Sequence, residues 1–327
     1  LISFGLTDPS NISGKIIQVV DATELDLSAI IITSSRSPFK EQIVEITDRL
    51  SDGSVIFDTS EMAGYLDDCD LVFGASGSSA WERCCLGVPS VIAHTADNQI
   101  QTATALSESG AAIYLGAADS LDSSSIAAHL QELKQRPDKL ESMSRAASRL
   151  CDGRGAYRVA IEMDARTETR GARITLRPAE LDDGELMLEW QNEPGTRRYS
   201  RNSQPLNSKD HISWLKKKLE DYRCLFNIVL RDDIPVGILR LDLLDQTIEK
   251  GIPAYEVSIV TAPDHAGQGV GQVALSLGRQ LIPESMLYGE VMKENIASNV
   301  LFRKVGFSLT DLGYVAAPLD ASRTDTL

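Results

Sequence analysis

Three alternating glycines form the chemical feature with the clearest meaning in the sequence. Gly267, Gly269 and Gly271 follow an apolar run at 254–260 and precede an apolar segment that continues to Leu281. Glycine lacks a Cβ atom, so backbone N–H groups can approach a ligand closely. A helix N-terminus adds partial positive charge. The pattern predicts a strand, a turn and a helix that bind a pyrophosphate, without the G-x-G-x-x-G spacing of dinucleotide sites.

A second motif follows at 291–307 with the sequence VMKENIASNVLFRKVGF. Together the two motifs resemble the GNAT acetyltransferase family, in which R/Q-x-x-G-x-G/A is followed by a strand, Asn-x-x-Ser, a helix and Gly-Phe. The resemblance covers about 173–317 and implies acetyl-CoA as the co-substrate. The residues it assigns to the cofactor are Ile259, Val260, Gln268, Gly269, Val270, Gly271, Asn295 and Ser298.

Two positions depart from the GNAT pattern. Ala266 stands where the family has Arg or Gln, and Phe302 stands where it often has a tyrosine that protonates the leaving thiolate. For catalysis we predict Glu256 as the base that removes the ammonium proton, because it lies on the strand that leads to the cofactor turn. Asn295 would contact the cofactor arm or hold a catalytic water. His265, a lone loop histidine, is expected to be solvated.

The acceptor is expected to meet the segment WQNEPGTRRYSRN at 190–202. Its opening resembles the Trp-x-Asn of acetyltransferases that act on nucleotide-activated amino sugars. We predict that Arg198, Arg201 and Asn202 contact a diphosphate or sugar hydroxyls. The alternative is a solvated polar loop.

Another segment rich in small residues, FGASGSSAWERCCLGVP, lies at 73–89 after an apolar run. Small and hydroxylated residues that lead from a strand into a helix leave backbone N–H groups open to an anion. We predict a phosphate site there, with a glutamate one turn further on for the ribose hydroxyls. The predicted nucleotide-sugar-binding residues are Gly74, Ser76, Gly77, Ser78, Ser79, Glu82, Asn98 and Gln99.

Residues 1–160 resemble the second domain of GT-B proteins, and among these the UDP-sugar hydrolases of pseudaminic acid biosynthesis. The resemblance is carried by LISFGLTD at 1–8, WERCCLGVP at 81–89 and DNQ at 97–99. It implies a UDP-linked amino sugar as partner.

This half also departs from its family pattern, with Leu6 in place of a glycine and Asp97 in place of a glutamate. In that family a histidine of an N-terminal domain activates the hydrolytic water. The apolar strand predicted at 1–5 indicates that an upstream part is missing. We therefore expect binding of a UDP-sugar by this chain without its hydrolysis.

The elements that must position these residues fall into two patterns. Strands predicted at 1–5, 29–33, 55–57, 71–73, 90–93 and 112–115 alternate with helices, as in a Rossmann-like α/β domain with a parallel sheet. From 173 onward, successive strands followed by β-turn-α indicate an α+β domain, with one strand predicted at 286–291. We place the first domain at 1–165, a polar linker at 166–171 and the second domain at 172–327.

Composition excludes several other classes. The 327 residues carry a net charge of −15 without a basic run, which disfavours nucleic-acid binding. Five cysteines without a C-x-x-C pair, and only four histidines, argue against a metal site and against a disulfide framework. The odd cysteine count with one adjacent pair suggests the reducing cytoplasm. Without an apolar run of about 18 residues we expect no membrane span.

The two resemblances together favour an N-acetyltransferase of a UDP-linked amino sugar, in bacterial nonulosonic (pseudaminic-type) acid biosynthesis. The alternative is a GNAT enzyme for another amine, such as a protein N-terminus, joined to a degenerate UDP-sugar-binding module. A third hypothesis is a nucleotide-sugar-binding or scaffold protein without enzymatic activity.

Overall fold

The computed structural model describes residues 1–5, 8–23, 25–164, 166–167, 170–249 and 251–319. The chain divides into two compact units, Leu1–Gly153 and Arg154–Leu327. Each unit has its own apolar core, and each is described separately.

The first unit contains a six-stranded parallel sheet with the order β3-β2-β1-β4-β5-β6. Because the strands run parallel, their carboxyl ends lie on one edge of the sheet. The order runs outward in both directions from β1 and β4, as in doubly wound folds. This confirms the predicted Rossmann-like architecture. Its strands are β1 Ile2–Ser3, β2 Ala29–Thr33, β3 Gly53–Phe57, β4 Val72–Ala75, β5 Ser90–His94 and β6 Ala112–Ala117.

Helices connect these strands and bury one face each. On the first helix Ile12, Ile16 and Ile17 are buried, a spacing that gives a helix one apolar side. Asp122 caps the sixth helix through the Ser125 N–H at 3.0 Å. The helices are α1 Ile12–Ala22, α2 Lys40–Thr47, α3 Met62–Asp67, α4 Ser79–Cys85, α5 Ile100–Glu108, α6 Ser123–Gln135 and α7 Pro137–Leu150.

The second unit contains a seven-stranded mixed sheet with the order β12-β13-β11-β10-β9-β8-β7. Its strands pair antiparallel with one exception, the parallel pair β10 and β11. The strands are β7 Ile174–Pro178, β8 Cys224–Arg231, β9 Ile234–Leu243, β10 Ala254–Thr261, β11 Met286–Gly289, β12 Ser308–Thr310 and β13 Gly313–Ala316.

Alternation along the strands assigns the helices of this unit to opposite faces of the sheet. Leu239 and Val257 pack in the core that contains α12, whereas Ile238 and Val260 pack in the core that contains Trp190 of α9 and residues of α11. The helices are α8 Gly155–Met163, α9 Gly184–Asn192, α10 Pro194–Arg197, α11 Ser208–Leu219, α12 Val270–Leu281 and α13 Ile296–Lys304.

Two boundaries differ from the sequence-based expectation. Helix α8 contributes buried Ile161 to the core of the second unit, so the contacts divide the chain after Gly153, before the polar segment at 166–171. The strand predicted at 286–291 ends at Gly289. The Glu290 carboxylate therefore lies just beyond the end of the sheet.

A buried histidine makes the second unit sensitive to acid. His211 of α11 is buried beside Trp214, with ring centroids 5.6 Å apart. Burial lowers its pKa below 6.5, and a hydrogen bond to the Gly184 backbone acts in the opposite direction. The unfolded chain therefore binds this proton more readily. His211 contributes stability that is present above its unfolded pKa of about 6.5 and is lost as the pH falls from that value through the lower pKa of the folded state.

We expect His211→Asn to flatten the pH dependence of stability between about pH 7 and pH 5, because the amide keeps a hydrogen-bond donor but does not titrate. Urea unfolding followed by tryptophan fluorescence would measure this, since Trp190 and Trp214 lie in the same unit. An identical slope in the variant and the parent would contradict the expectation.

Candidate functional site

Strands β10 and β11 separate after a short parallel ladder. Their paired residues end at Glu256 and Tyr288, whereas β10 continues to Thr261 paired with β9. Within the described residues, the segment 257–261 thus has no ladder partner on its β11 side. We call this gap between 257–261 and the end of β11 the wedge. An extended ligand can pair there as an added strand, next to the predicted Ile259 and Val260.

The glycine turn at the start of α12 has the expected geometry. Gly267 and Gly269 have φ angles of 73° and 90°, a left-handed conformation that residues other than glycine rarely adopt. Gln268 braces the turn by donating from Nε2 to the Asp264 carbonyl at 2.7 Å. Val270 and Gly271 lie in the first helical turn, where backbone N–H groups have no intrahelical acceptor. These groups can bind an anion.

The Asn-x-x-Ser motif is a helix cap in the structure. Asn295 Oδ1 accepts from the Ser298 N–H at 3.1 Å at the start of α13. Asn299, which the sequence analysis missed, donates to the carbonyls of Met292 and Asn295 at 2.9 and 2.8 Å. It accepts from the buried Tyr314 hydroxyl at 2.9 Å. The Asn295 oxygen is therefore engaged in capping, and Asn299 fixes the loop before α13.

Phe302 lies in the core rather than in a polar site. It is buried against Phe307 and Tyr314, with ring centroids 4.8 and 5.4 Å apart. A Cβ atom at Gly289 would lie 2.2 Å from Phe302 Cε1, so this ring touches the backbone of β11 where a side chain is missing. The phenyl group packs there and offers no proton.

Glu256 lies at the point where the strands separate, on the sheet face covered by α9 and α11. It is the cross-strand neighbour of Asp242 on β9 and of Tyr288 on β11. Arg201 donates to Glu256 Oε1 and, at 2.7 Å, to Glu290 Oε2. Burial raises the pKa of the Tyr288 hydroxyl, and the charges of Glu290 and Glu256 raise it further, against the opposing effect of Arg201.

The loop after α9 is held by its own motif residues. Asn192 Nδ2 donates to the Leu206 carbonyl and Asn192 Oδ1 accepts from the Leu206 N–H, both at 2.8 Å. Arg197 donates from Nε to the Asn202 carbonyl at 3.2 Å. The Arg198 guanidinium lies 4.7 Å from the ring centre of Tyr199. The Trp-x-Asn motif thus closes the loop that presents the predicted acceptor residues.

In the first unit the predicted residues gather at the carboxyl ends of β4 and β5. A Cβ atom at Gly77 would lie 3.4 Å from Gln99 Nε2, and Gln99 Oε1 accepts from the Thr95 N–H at 3.0 Å. Ser76 is buried, and its backbone N–H donates to the Ala93 carbonyl at 3.2 Å. Its side chain therefore faces the core. The predicted residues that remain exposed are Ser78, Glu82 and Asn98.

A buried arginine explains part of the same motif. Arg83 donates from Nη2 to the Ala75 carbonyl at 2.7 Å and from Nε to Ser90 Oγ at 3.1 Å. Burial lowers its pKa to about 10. A Cβ atom at Gly74 would lie 2.9 Å from Arg83 Nη1, so this glycine makes room for the guanidinium. The sequence analysis missed both roles.

The N-terminus of α1 is filled from within. The Asp8 carboxylate, buried, accepts from the N–H groups of Ile12 at 2.9 Å and Ser13 at 2.8 Å. Asn11 Oδ1 accepts from the Gly14 N–H at 3.2 Å. A bound phosphate is therefore not needed to satisfy this helix end.

The described residues contain no group of three or more His, Cys, Asp or Glu side chains placed to hold a metal ion. None of the helices in the described ranges has the length and apolar character needed to cross a membrane.

Two protein-family models match the chain. The GNAT acetyltransferase domain matches residues 173–308, and the glycosyltransferase family 28 C-terminal domain matches residues 15–158. These ranges fall in the two halves that the sequence analysis distinguished. The predicted combination of domains is therefore confirmed.

Two known proteins are similar in sequence to this chain, one over half of its length and the other over nearly all of it. Over 49% of the chain it is 25% identical to the Bacillus subtilis spore coat polysaccharide biosynthesis protein SpsG, of which 48% is covered. Over 96% of the chain it is 21% identical to the uncharacterised protein MJ1062 of Methanocaldococcus jannaschii, of which 62% is covered. The chain thus spans between about half and three-fifths of these relatives' lengths.

One solved structure among those similar to the chain is an acetyltransferase from Thermus thermophilus. It is 20% identical, with a TM-score of 0.38, and the match covers 44% of this chain and 96% of that one.

We expect Gly269→Asp to abolish acetyl-CoA binding, because the substitution puts a side chain and a negative charge at a left-handed position beside the first turn of α12. Gly251→Asp is the matched control, since Gly251 also has a positive φ, 84°, and open space around it. Calorimetric titration with acetyl-CoA would measure both. Equal affinity of the two variants would place the pyrophosphate elsewhere.

Proposed function

Because the chain joins a glycosyltransferase family 28 C-terminal domain to a GNAT acetyltransferase domain, we propose that it transfers an acetyl group from acetyl-CoA to an amino group of a UDP-linked amino sugar. The observation that carries the proposal is the wedge, which opens beside the glycine turn and has Glu256 at its apex. Acyl transfer to an amine needs these three parts: a cofactor edge, an anion site and a base.

The cofactor part of the proposal uses backbone groups. Backbone amides of Gln268, Gly269, Val270 and Gly271 bind the pyrophosphate, and the free edge at Ile259 and Val260 pairs with the pantetheine arm. A backbone N–H on that edge stabilises the oxyanion of the thioester as the amine attacks. Asn295 and Ser298 support this region through the cap of α13.

The chemical step relies on Glu256. Its carboxylate removes the ammonium proton directly or through water, the amine nitrogen attacks the thioester carbonyl, and CoA leaves as the thiolate. Since Phe302 is buried in the core, the thiolate takes its proton from another group or from water. Losing a positioned base typically costs about 10²–10⁴-fold in rate.

The acceptor class is inferred from both halves. In the second unit the loop closed by Asn192 and Leu206 presents Arg198 and Asn202 to a diphosphate or sugar. In the first unit Ser78, Glu82 and Asn98 are exposed at the carboxyl ends of the strands, the edge at which α/β sheets bind ligands. The similarity to a protein of spore coat polysaccharide biosynthesis also favours a sugar substrate.

A place in nonulosonic, pseudaminic-type acid biosynthesis follows from this substrate class, since such pathways acetylate an amine of a UDP-linked sugar before UDP is removed. The second candidate, a GNAT enzyme for another amine, is favoured by the small number of exposed polar side chains in the first-unit site, where Ser76 is buried.

We expect a UDP-linked 4-amino-4,6-dideoxy sugar to be acetylated faster than amino acids or peptide amines. Release of free thiol from acetyl-CoA, measured against that panel with matched amine concentrations, gives the ratio of kcat/KM values. A preference for a peptide or a small amine would favour the second candidate. Thiol release at the rate of buffer alone with every amine would leave only a non-enzymatic role.

We expect the chain to bind UDP and to hydrolyse no UDP-sugar. In the hydrolases that residues 1–160 resemble, the histidine that activates water belongs to an N-terminal domain, which is not among these residues. His94 Nδ1 is already hydrogen bonded to the Tyr114 hydroxyl at 2.5 Å. Calorimetry with UDP should show weak binding that Glu82→Ala weakens further. Sustained release of UDP from a UDP-sugar over hours would contradict the expectation.

A further inference from the structure

Two carboxylates and one guanidinium meet at the apex of the wedge. Arg201 donates to Glu290 Oε2 from Nη2 at 2.7 Å and from Nε at 3.1 Å, and Nη2 also donates to Glu256 Oε1. Glu256 is the proposed base. Arg201 therefore occupies the position from which a proton would be removed. We call Glu256 and Glu290 the carboxylate pair.

The neighbouring charges do not neutralise the carboxylate pair. Asp242, next to Glu256 in the row across the sheet, has its own cations in Lys218 and Arg240, each at 2.6 Å. The Tyr288 hydroxyl keeps its proton because burial and the carboxylate pair raise its pKa. In the described ion pairs, Arg201 is the cation that the carboxylate pair contacts. Without it, two negative charges would face the wedge.

We propose that the carboxylate pair binds the ammonium group of the acceptor, and that Arg201 fills this site until the acceptor displaces it. The inference rests on the proposed acetyltransferase function and adds Glu290 as a specificity-determining residue. It also replaces the expectation that Arg201 contacts a diphosphate, since the Arg201 guanidinium is bound to carboxylates.

Arginine has the right properties for such an occupant. Its side chain is 69% exposed, and exposed ion pairs contribute little stability, so its displacement costs the protein little. The guanidinium stays charged at every physiological pH and has no free amine that could attack the thioester. A lysine at this position would instead present an amine to the cofactor.

The reaction then balances as follows. The bound ammonium gives one proton to Glu256, and the neutral nitrogen forms the C–N bond with the acetyl carbon. The C–S bond breaks and its electron pair leaves with CoA as the thiolate. The acylated nitrogen loses its second proton to this thiolate, directly or through water, so that the products are the amide, the CoA thiol and protonated Glu256. Glu290 remains ionised and holds the acceptor in place while Glu256 carries the proton.

The first test makes residue 201 the acceptor. Arg201→Lys, incubated with acetyl-CoA and no other amine, should gain one acetyl group on residue 201, as read by peptide mass spectrometry. Arg198→Lys is the matched control, because Arg198 lies over Tyr199 and not on the carboxylate pair. The side chain at position 198 of that variant should stay unmodified. No acetylation at position 201, or equal acetylation at both positions, would overturn the inference.

The second test separates displacement from substrate contact, using the UDP-linked 4-amino-4,6-dideoxy sugar. If Arg201 competes with the acceptor, Arg201→Ala lowers the acceptor KM by roughly two- to five-fold, the range expected for removing an exposed ion pair. An unchanged or higher KM would overturn the inference, and a higher one would restore Arg201 as a contact to the substrate.

The third test concerns Glu290. Glu290→Gln should raise the acceptor KM with little change in kcat, whereas Glu256→Gln should lower kcat. Glu294→Gln, at an exposed position of the same loop between β11 and α13, controls for the loss of one negative charge. Equal acceptor KM values for Glu290→Gln and Glu294→Gln would remove Glu290 from the site.

Calorimetry with acetyl-CoA distinguishes the two levels of the argument. An Arg201→Lys variant that binds acetyl-CoA but is not acetylated at position 201 contradicts this inference and leaves the proposed function standing. A protein that does not bind acetyl-CoA contradicts both.

Discussion

The parallel ladder between β10 and β11 ends at Glu256 and Tyr288, and the proposed active site is arranged around that end. Beyond it β10 remains extended because it keeps its antiparallel ladder with β9 to Thr261. That ladder is close: a Cβ atom at Gly237 would lie 2.6 Å from the Val260 carbonyl oxygen. The second unit thus maintains free backbone groups in the middle of a sheet, where strands normally satisfy each other.

The surroundings of the wedge are rigid on one side and polar on the other. On the side of α13, Phe302 packs against the Gly289 backbone of β11, and Tyr314 fixes the loop before α13 through Asn299. On the sheet face covered by α9 and α11, Glu256 and Arg201 form an exposed to half-buried ion pair, which contributes little stability and can be broken at small cost. The proposed cofactor side is therefore built from packing and backbone geometry, whereas the proposed acceptor side is built from charges that can rearrange around a substrate.

The sequence predicted most of the fold, including the strand, glycine turn and helix on one side of the proposed site. Local patterns identified the strands of both sheets and the turn from Gly267 to Gly271, because glycine spacing and apolar periodicity act between close neighbours. The contacts of Arg201 with Glu256 and Glu290 join residues 55 and 89 positions apart. No local pattern encodes them. The same holds for Arg83, whose sequence context resembles a ligand motif while its guanidinium is buried.

The first helix of the chain, α1, and the helix that follows the glycine turn, α12, differ at their N-termini. Helix α1 has a buried carboxylate, Asp8, on its first N–H groups and a capping side chain, Asn11. Helix α12 has glycine at its cap, without a side-chain hydrogen bond. A Ser or Asp side chain at the cap would accept a hydrogen bond from one of those donors. Glycine in its place lowers the stability by about a few tenths of a kcal/mol. The first-turn N–H groups of α12 are therefore open to the pyrophosphate that we propose, beside the edge of β10 that has no ladder partner on its β11 side among the described residues.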